Sequence, residues 1–388
     1  MKILSVLTYY RPHTSGLTIY AERLAEAWAR KGHEVTVLTS RFDRQLPEIE
    51  VKEGVKIIRA PVLFRVSKGV IMPTFGLLAS KLVVENDFIQ LHLPQFDAAG
   101  IALRGRLLKK PTVVTYHCDL RMPKGLLNLA ANVGINLMNN MTGLFTHRFV
   151  TYTQDYAVHS PFLKKYLHKL QVIPPPVILP RRSQVEIDQF RQQNNPQTRF
   201  PIIGMATRFA TEKGVEVLLG ALPEIISKYP QTTVWFAGAY ERIMGEEQYF
   251  HRLSPQIRNY QQRGQWHFLG NLSPEEMAAF YPNLNVLVVP SLNSTEAFGL
   301  VQIEAMLNGV PAVASDLPGV RQPVLQHKMG KVVPIGDSGA LAKAVIEVLQ
   351  GPGDSSPDIQ NLAAKYDPDT IAEAYEHLFL ETRESLLG

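Results

Sequence analysis

The stretch from residue 202 to residue 228 reads IIGMATRFATEKGVEVLLGALPEIISK. Residues 202–206 form a short apolar run typical of a buried strand, and residues 215–228 have the length and spacing of a helix. The two are joined by a turn that carries Arg208 and Lys213. Strand, turn and helix in this order make up the repeating unit of a parallel sheet with helices on its faces.

The same alternation extends through both halves of the chain. Further apolar runs indicate strands at residues 3–8, 34–39 and 111–117 in the first half, and at 234–237, 267–270, 286–290 and 312–315 in the second. Helix-length segments separate several of these runs. The sequence therefore predicts an α/β protein with two Rossmann-like, doubly wound domains. Because such sheets bind ligands at the carboxyl ends of their strands, we expect the domains to face each other across a cleft.

A run of three prolines, Pro174 to Pro176, predicts the boundary between the domains, because a stiff proline run makes a good linker. We expect an N-terminal domain at residues 1–178 and a C-terminal domain at 179–368. The last segment, residues 369–388, has a helical pattern. That pattern is compatible with packing back on the first domain as well as with packing on the second.

Charge is distributed unevenly along the chain. Residues 1–180 hold 23 Lys and Arg against 12 Asp and Glu, a net charge of +11, whereas residues 181–388 hold 17 against 23, a net charge of −6. A basic first half favours contact with an anionic surface or substrate. We predict peripheral contact with an anionic membrane, and the candidate residues are Lys109, Lys110, Lys124, Lys164 and Lys165. No nucleic-acid-binding motif is present, so nucleic acid is not an expected partner.

The remaining composition favours a cytoplasmic protein, peripheral at the inner face of the cell membrane. The single cysteine, Cys118, excludes an internal disulfide and fits a reducing compartment. No stretch reaches about 18 consecutive apolar residues, the length needed for a membrane span. The first residues are interpreted as a strand rather than a secretion signal.

The turn after residue 206 carries two cations, Arg208 and Lys213. A guanidinium fork and an ammonium charge on one turn are suited to binding a departing diphosphate. No metal site is predicted to share this task. Asp367 and Asp369 match a D-x-D pattern by letters only, and Asp369 is more simply a helix cap.

Residues 296–304 read EAFGLVQIE, with glutamates eight positions apart. A helix that begins near Gly299 would point its free N–H groups at an anion. Glu296 would precede the helix, and Glu304 would lie about 7 Å along it. Carboxylates accept hydrogen bonds from paired sugar hydroxyls, so this arrangement predicts a ligand with a sugar at each end of a pyrophosphate, which is a nucleotide-sugar.

Three candidate residues occur in the first half. His117 ends the apolar run 111–117, where it could hydrogen-bond a sugar hydroxyl. His92 has a similar position, at which a structural role and a sugar-binding role are equally compatible with the sequence. Gly16 lets the backbone approach a phosphate after the first strand. Because this turn lacks the G-x-G-x-x-G pattern, a nicotinamide or flavin dinucleotide is disfavoured, and no cofactor is expected.

These motifs together resemble the retaining glycosyltransferases of family 4, which have the GT-B fold. The resemblance covers most of the chain: GHEVTVLT at 32–39, TYH at 115–117, ATRFATEKG at 206–214, LGNLSPEE at 269–276 and the E-x7-E run followed by GVPAVAS at 309–315. The combination of R-F-x-x-E-K-G with E-x7-E is the specific part.

The resemblance implies that the N-terminal domain, 1–178, binds the acceptor and that the C-terminal domain, 179–368, binds the donor. It also implies roles for individual residues. Arg208 and Lys213 would hold the donor diphosphate, Glu296 and His117 would meet the transferred sugar, and Glu304 would bind the ribose. The resemblance also implies a set of donor-binding residues: Gly16, Gly238, Leu272, Phe298, Gly299 and Leu300. The N–H groups of Gly299 and Leu300 would contact phosphate. The base would lie near residues 238–240 and 270–272.

The sequence thus predicts a retaining, metal-independent hexosyltransferase that uses a nucleotide-sugar. A uridine diphosphate sugar, with glucose as first choice, is favoured because no acidic residue that could read guanine lies between Gln265 and Pro274. The expected acceptor is a glycan or a lipid-linked sugar in polysaccharide biosynthesis. A GDP-mannose-dependent mannosyltransferase is the main alternative. A nucleotide-sugar 2-epimerase and a non-catalytic nucleotide-sugar-binding protein are the others.

Overall fold

The computed structural model describes residues 1–66, 69–120, 126–351 and 358–387. The chain divides into two compact units, one of residues 1–177 and 365–388 and the other of residues 178–364. The divisions at 177/178 and 364/365 fall near the boundaries expected from the sequence, 178/179 and 368/369. The last segment therefore belongs to the first unit.

Strands in the described residues form one large sheet in each unit. The first unit contains β1 (Lys2–Val6), β2 (Glu34–Arg41), β3 (Ile49–Lys52), β4 (Val55–Pro61), β5 (Phe64–Val66), β6 (Gly69–Ile71), β7 (Phe88–Leu93), β8 (Thr112–Tyr116), β9 (Arg148–Thr151) and β10 (Leu170–Val172). The second contains β11 (Ile202–Ala206), β12 (Thr233–Ala237), β13 (Trp266–Gly270), β14 (Val286–Val289), β15 (Ala312–Ser315) and β16 (Gly330–Val333). The runs predicted as strands are all found as strands.

Helices connect these strands. In chain order they are α1 (Gly16–Arg30), α2 (Phe75–Glu85), α3 (Ala98–Leu107), α4 (Leu126–Phe145), α5 (Gln154–His159), α6 (Gln184–Asn194), α7 (Val215–Lys228), α8 (Glu247–Gln262), α9 (Pro274–Phe280), α10 (Leu300–Met306), α11 (Gln322–His327), α12 (Ser338–Gln350), α13 (Ile359–Tyr366) and α14 (Pro368–Leu387). Within the described ranges, none is both long enough and apolar enough to cross a bilayer.

Both sheets are doubly wound. The first has the order β10-β9-β8-β7-β1-β2-β4-β3, with only β3 antiparallel to its neighbour, and β5 and β6 form a separate hairpin. The second has the order β13-β12-β11-β14-β15-β16, and all of its pairs are parallel. The winding direction reverses between β1 and β7 in the first sheet and between β11 and β14 in the second. Ligands bind at such switch points, outside the carboxyl ends of the strands. The α/β fold with two Rossmann-like domains predicted from the sequence is confirmed.

The buried face of α1 shows why the terminal helix packs on the first unit. Tyr20, Leu24 and Trp28 recur every fourth residue of α1 and are fully buried. The Trp28 ring lies edge-on to Tyr375 of α14, with centroids 5.7 Å apart, and its Nε1 donates to the carbonyl of Ala372 at 3.3 Å. Fully burying side chains of this size contributes about 1.5–3 kcal/mol each. Helix α14 thus completes the first unit's core.

Candidate functional site in the second unit and its relation to known proteins

The site begins where two chain segments meet at the switch point of the second sheet. The turn after β11 ends at Gly214, which has a φ of +67° and lies so close to the Pro290 carbonyl that a Cβ there would collide with it. Only glycine fits, because the left-handed conformation and the lack of space both exclude a side chain. The N–H of Leu292 then donates to the carbonyl of Glu212 at 2.9 Å. The segment after β14 is therefore held against the turn that carries Arg208 and Lys213.

This packing brings a cation and a carboxylate together. The Nζ of Lys213 donates to the carboxylate of Glu296, and the two side chains are 17% and 22% exposed. Arg208 donates to Glu212 on its own turn, and its side chain is 42% exposed. The two cations predicted as a diphosphate clamp thus each have a carboxylate partner. Phosphate oxygens accept the same kind of charge-assisted hydrogen bond as these carboxylates.

Helix α10 starts directly after Gly299, as expected from the E-x7-E run. Gly299 precedes the helix with a φ of +80°. Just before it, the carbonyl of Phe298 accepts from Nε2 of Gln302 at 2.9 Å, and the same amide donates to the Val320 carbonyl at 2.9 Å. The Phe298 side chain is 3% exposed, which gives it a packing role beneath the loop. Leu300 is the first helical residue and is half-buried.

Glu304 lies on the inner face of α10. Its side chain is mostly buried, with 7% of the residue exposed, and its carboxylate accepts from the Tyr281 hydroxyl at 2.7 Å. Tyr281 is fully buried, so this hydroxyl belongs to the protein interior. The tyrosine fixes one side of the carboxylate and so orients it. No sequence pattern predicts this partner, because Tyr281 is 23 residues away from Glu304.

The segment predicted to read the base lies at the ends of β12 and β13. The N–H of Gly238 donates to the Gly270 carbonyl at 2.7 Å, and the N–H of Phe209 donates to the Ala239 carbonyl at 2.7 Å. The N–H of Gly238 is therefore already engaged in a hydrogen bond within the protein. The Tyr240 ring stacks on Phe268, with centroids 4.0 Å apart. Leu272 is half-buried beyond β13.

Gly16 and His117, the other predicted site residues, belong to the first unit. Gly16 opens α1 behind Ser15, whose hydroxyl accepts from the Thr18 N–H at 3.2 Å and caps the helix. His117 follows β8 and is 7% exposed. Both of its ring nitrogens have protein partners: Nε2 meets Nδ1 of His92 at 2.8 Å, and Nδ1 meets the Tyr152 hydroxyl. Burial, followed by the neighbouring His92, lowers the pKa of His117 well below its usual value.

Three residues with a place in these contacts were not given a role from the sequence. Glu212 stands inside the quoted R-F-x-x-E-K-G motif, so its position could have indicated its pairing with Arg208. Tyr281 and Tyr152 carry no such signal. Their hydroxyls reach Glu304 and His117 only because the tertiary fold places them there.

Two family models match the chain over almost all of its length. Residues 14–181 match the model described as Glycosyltransferase Family 4, and residues 186–367 match the model described as Glycosyl transferases group 1. Among curated proteins, the phosphatidyl-myo-inositol mannosyltransferase of Mycobacterium leprae is 25% identical over 370 residues, covering 90% of this chain and 88% of that protein. The D-rhamnosyltransferase WbpZ of Pseudomonas aeruginosa is 26% identical over 373 residues, covering 94% and 91%.

Solved structures show the same fold. HepE of Anabaena, crystallised with UDP-glucose, has a TM-score of 0.76 at 21% identity and covers 98% of this chain and 100% of its own. Sucrose-phosphate synthase from Thermosynechococcus elongatus has a TM-score of 0.73 at 20% identity, with 99% of each chain covered.

Two Rossmann-like domains and these relatives define an enzyme that transfers sugars, a glycosyltransferase of the GT-B fold. Within that class, the chain belongs to glycosyltransferase family 4.

Proposed function

We propose that the protein is a retaining hexosyltransferase that takes its sugar from a nucleoside diphosphate donor, with UDP-glucose as the first choice. The observation that carries the proposal is the convergence of Lys213 and Glu296 at the switch point of the second sheet. The ammonium group of Lys213 is suited to bind the diphosphate, and the carboxylate of Glu296 is suited to bind the sugar attached to it.

The donor would lie along the segment from the turn after β11 to α10. Arg208 and Lys213 would bind the diphosphate, and Glu296, released from Lys213, would accept from hydroxyls of the sugar. The N–H groups of Gly299 and Leu300 would contact phosphate. Glu304, oriented by Tyr281, would accept from the ribose, since carboxylate oxygens accept hydrogen bonds from vicinal hydroxyls.

In the proposed reaction the acceptor hydroxyl oxygen bonds to the anomeric carbon on the face from which the diphosphate leaves. The bond between that carbon and the phosphate oxygen breaks, and the hydroxyl proton passes to the departing phosphate. Arg208 and Lys213 stabilise the negative charge that develops there, which is the task of a metal ion in other transferases. We therefore propose metal-independent transfer. Charge-assisted hydrogen bonds of this kind contribute about 1.5–3 kcal/mol each.

Support for the donor comes from residue chemistry and from relatives. The absence of an acidic residue between Gln265 and Pro274 favours uracil over guanine, and HepE, which shares the fold, was crystallised with UDP-glucose. The alternative is a mannosyltransferase that uses a guanosine diphosphate sugar. The similarity to phosphatidyl-myo-inositol mannosyltransferases favours mannose as the sugar of that alternative.

The proposed acceptor is a glycan or a lipid-linked sugar, reached by a cytoplasmic protein at a membrane surface. Helix α4 supports this because Val133, Leu137, Met141 and Leu144, spaced as neighbours on one helix face, are 63%, 56%, 37% and 67% exposed. Lys165 donates to Asn140 of the same helix at 3.2 Å, so positive charge lies beside the apolar stripe. Lys109 and Lys164 are exposed and Lys110 is half-buried, whereas Lys124 lies outside the described residues.

The test is a donor screen followed by product analysis. Thermal unfolding with uridine, guanosine and adenosine diphosphates identifies the base, since a ligand at a hundred times its Kd adds about 2.7 kcal/mol to the free energy of unfolding. We expect the largest shift with UDP. Labelled UDP-glucose and an acceptor array should then give an α-linked product. A larger shift of the unfolding temperature with GDP than with UDP would identify the donor as a guanosine diphosphate sugar. A β-linked product would exclude retention.

A further inference from the structure

A chain of hydrogen bonds runs through the interior of the first unit from Gln90 to Tyr152 and includes His117. It contains Gln90, His92, His117 and Tyr152, which are 1%, 1%, 7% and 8% exposed. The Gln90 Oε1 lies 3.1 Å from Nε2 of His92, and Nδ1 of His92 lies 2.8 Å from Nε2 of His117. The hydroxyl of Tyr152 contacts Nδ1 of His117. We call these four residues the histidine chain.

The sheet explains why both nitrogens of His117 are engaged. Strand β8, which ends just before His117, lies between β7 and β9. His92 belongs to β7 and Tyr152 follows β9, so each neighbouring strand supplies one partner. The backbone N–H of His117 also donates to the Leu93 carbonyl at 3.0 Å. The ring is therefore held on both sides.

The donors and acceptors of the histidine chain follow one order, which begins at Gln90. Nε2 of His92 faces two oxygens, Gln90 Oε1 at 3.1 Å and the Ser5 hydroxyl at 3.0 Å. Because a carbonyl oxygen can only accept, a proton on Nε2 satisfies both contacts, and Nδ1 of His92 then carries the lone pair. That lone pair accepts from Nε2–H of His117. The Nδ1 of His117 is then an acceptor as well, and the Tyr152 hydroxyl donates to it.

Two hydroxyl groups contact the amide of Gln90. Its Nε2 donates to the Thr115 hydroxyl at 3.2 Å, and its Oε1 accepts from the Ser5 hydroxyl at 3.0 Å. The ring of Tyr20 lies edge-on to both histidines, at 5.1 Å from His117 and 6.0 Å from His92. Burial in these surroundings lowers the pKa of His92 to about 3, so both imidazoles are neutral.

We propose that Gln90 and His92 are positioning residues that hold His117 as its Nε2–H tautomer, so that its Nδ1 lone pair can accept from a sugar hydroxyl. The inference rests on the proposed function of His117 as a sugar contact. A sugar hydroxyl would replace the Tyr152 hydroxyl and donate to Nδ1, while His92 keeps the opposite side of the ring fixed. His117 would then act as a neutral hydrogen-bond acceptor.

The first test measures the tautomer directly. In protein labelled with ¹⁵N-histidine, with His117 identified by the signal that a His117→Gln variant lacks, we expect a proton on Nε2, none on Nδ1, and no titration between pH 5 and 8. Adding UDP-glucose should shift the Nδ1 resonance, and UDP alone should not. A proton on Nδ1, or titration near the ordinary pKa, would overturn the tautomer; an Nδ1 signal indifferent to bound UDP-glucose would overturn the sugar contact.

The second test uses a matched pair of substitutions at His92. The Oδ1 of asparagine can stand where Nδ1 stands, so His92→Asn retains the acceptor for His117, whereas His92→Leu removes it. With folding verified by thermal unfolding, we expect kcat/KM for donor turnover to fall at least tenfold in His92→Leu and less than about threefold in His92→Asn. Equal losses in two folded variants would refute the positioning role.

These measurements separate this inference from the proposed function. If the protein does not turn over UDP-glucose, the tautomer in the native protein still decides whether the histidine chain orients His117. If it does turn over UDP-glucose but His117 carries its proton on Nδ1, the transferase proposal stands and this inference fails.

Discussion

Lys213 and Glu296 form an ion pair across 83 positions of sequence, at the place where the segments after β11 and β14 meet. Both side chains are mostly buried, at 17% and 22% exposure. An ion pair that is partly open to water stabilises the fold only slightly. In the proposed function its importance is chemical, because it brings together a cation that would bind the diphosphate and a carboxylate that would bind the sugar.

The first prediction concerns the diphosphate clamp. Arg208→Ala or Lys213→Ala should lower kcat/KM at least tenfold, the effect of losing about 1.4 kcal/mol of transition-state stabilisation. Steady-state kinetics with the identified donor provides the measurement. Lys331→Ala is the matched control, because Lys331 is also ion-paired, with Glu347 at 2.6 Å, but lies on the edge strand β16. Full activity in both clamp variants, or loss of activity with a chelator, would contradict the clamp as proposed.

The second prediction separates the two glutamates of the E-x7-E run. Glu304→Ala should weaken binding of the free nucleotide and of the nucleotide-sugar alike, because the ribose is common to both. Glu296→Ala should spare the free nucleotide and weaken the nucleotide-sugar. Calorimetry with UDP and UDP-glucose distinguishes these patterns. If the two variants lose affinity equally for both ligands, the roles are misassigned.

A third prediction follows from the buried hydroxyl beside Glu304. Tyr281→Phe keeps the ring in the core but removes the hydrogen bond that orients the carboxylate, a loss of about 0.5–1.5 kcal/mol. We expect UDP affinity to fall about two- to tenfold in calorimetry. Tyr166→Phe in the first unit, which removes a hydroxyl bonded to the Asn140 carbonyl, should leave UDP affinity unchanged. Unaltered UDP affinity in Tyr281→Phe would show that Glu304 needs no such support.

The fourth prediction is a pH dependence of stability. His92 has its pKa lowered to about 3 in the folded protein by burial, whereas the unfolded chain binds a proton near pH 6.5. The unfolded state therefore holds more protons between these values, and stability should fall by about 1.4 kcal/mol per pH unit from this residue as the pH drops below 6.5. Urea unfolding of the native protein and His92→Asn at pH 5 to 7 measures the difference. Identical slopes would mean that His92 is not a buried neutral group.

The fifth prediction concerns the membrane. Liposome flotation should show binding that requires anionic lipid and weakens with salt, since each basic residue near such a surface contributes about 1 kcal/mol. Leu137→Asn, on the exposed stripe of α4, should reduce binding. Val185→Asn is the control and should not reduce binding, because Val185 is an exposed apolar position on α6 of the second unit. Binding indifferent to lipid charge would favour a soluble acceptor instead.

The sequence by itself determined the fold class and the local chemistry of the second unit. Apolar runs such as Ile202–Ala206 and the helical spacing of Val215–Lys228 are local signals, because burial imposes its period on consecutive residues. Arg208 and Lys213 could be located for the same reason, since they share one turn with a glycine that ends it.

The partners of these residues were decided by tertiary structure alone. Lys213 meets Glu296 because Gly214 packs against Pro290, and His117 meets His92 because β7 lies beside β8 in the sheet. Hydrogen bonds between such residues depend on distances of a few ångströms between segments far apart in sequence. Periodicity reports which side of an element is buried. It does not identify the polar atom that a neighbouring element places in hydrogen-bonding distance. The histidine chain and the contact between Tyr281 and Glu304 are therefore seen only in the folded structure.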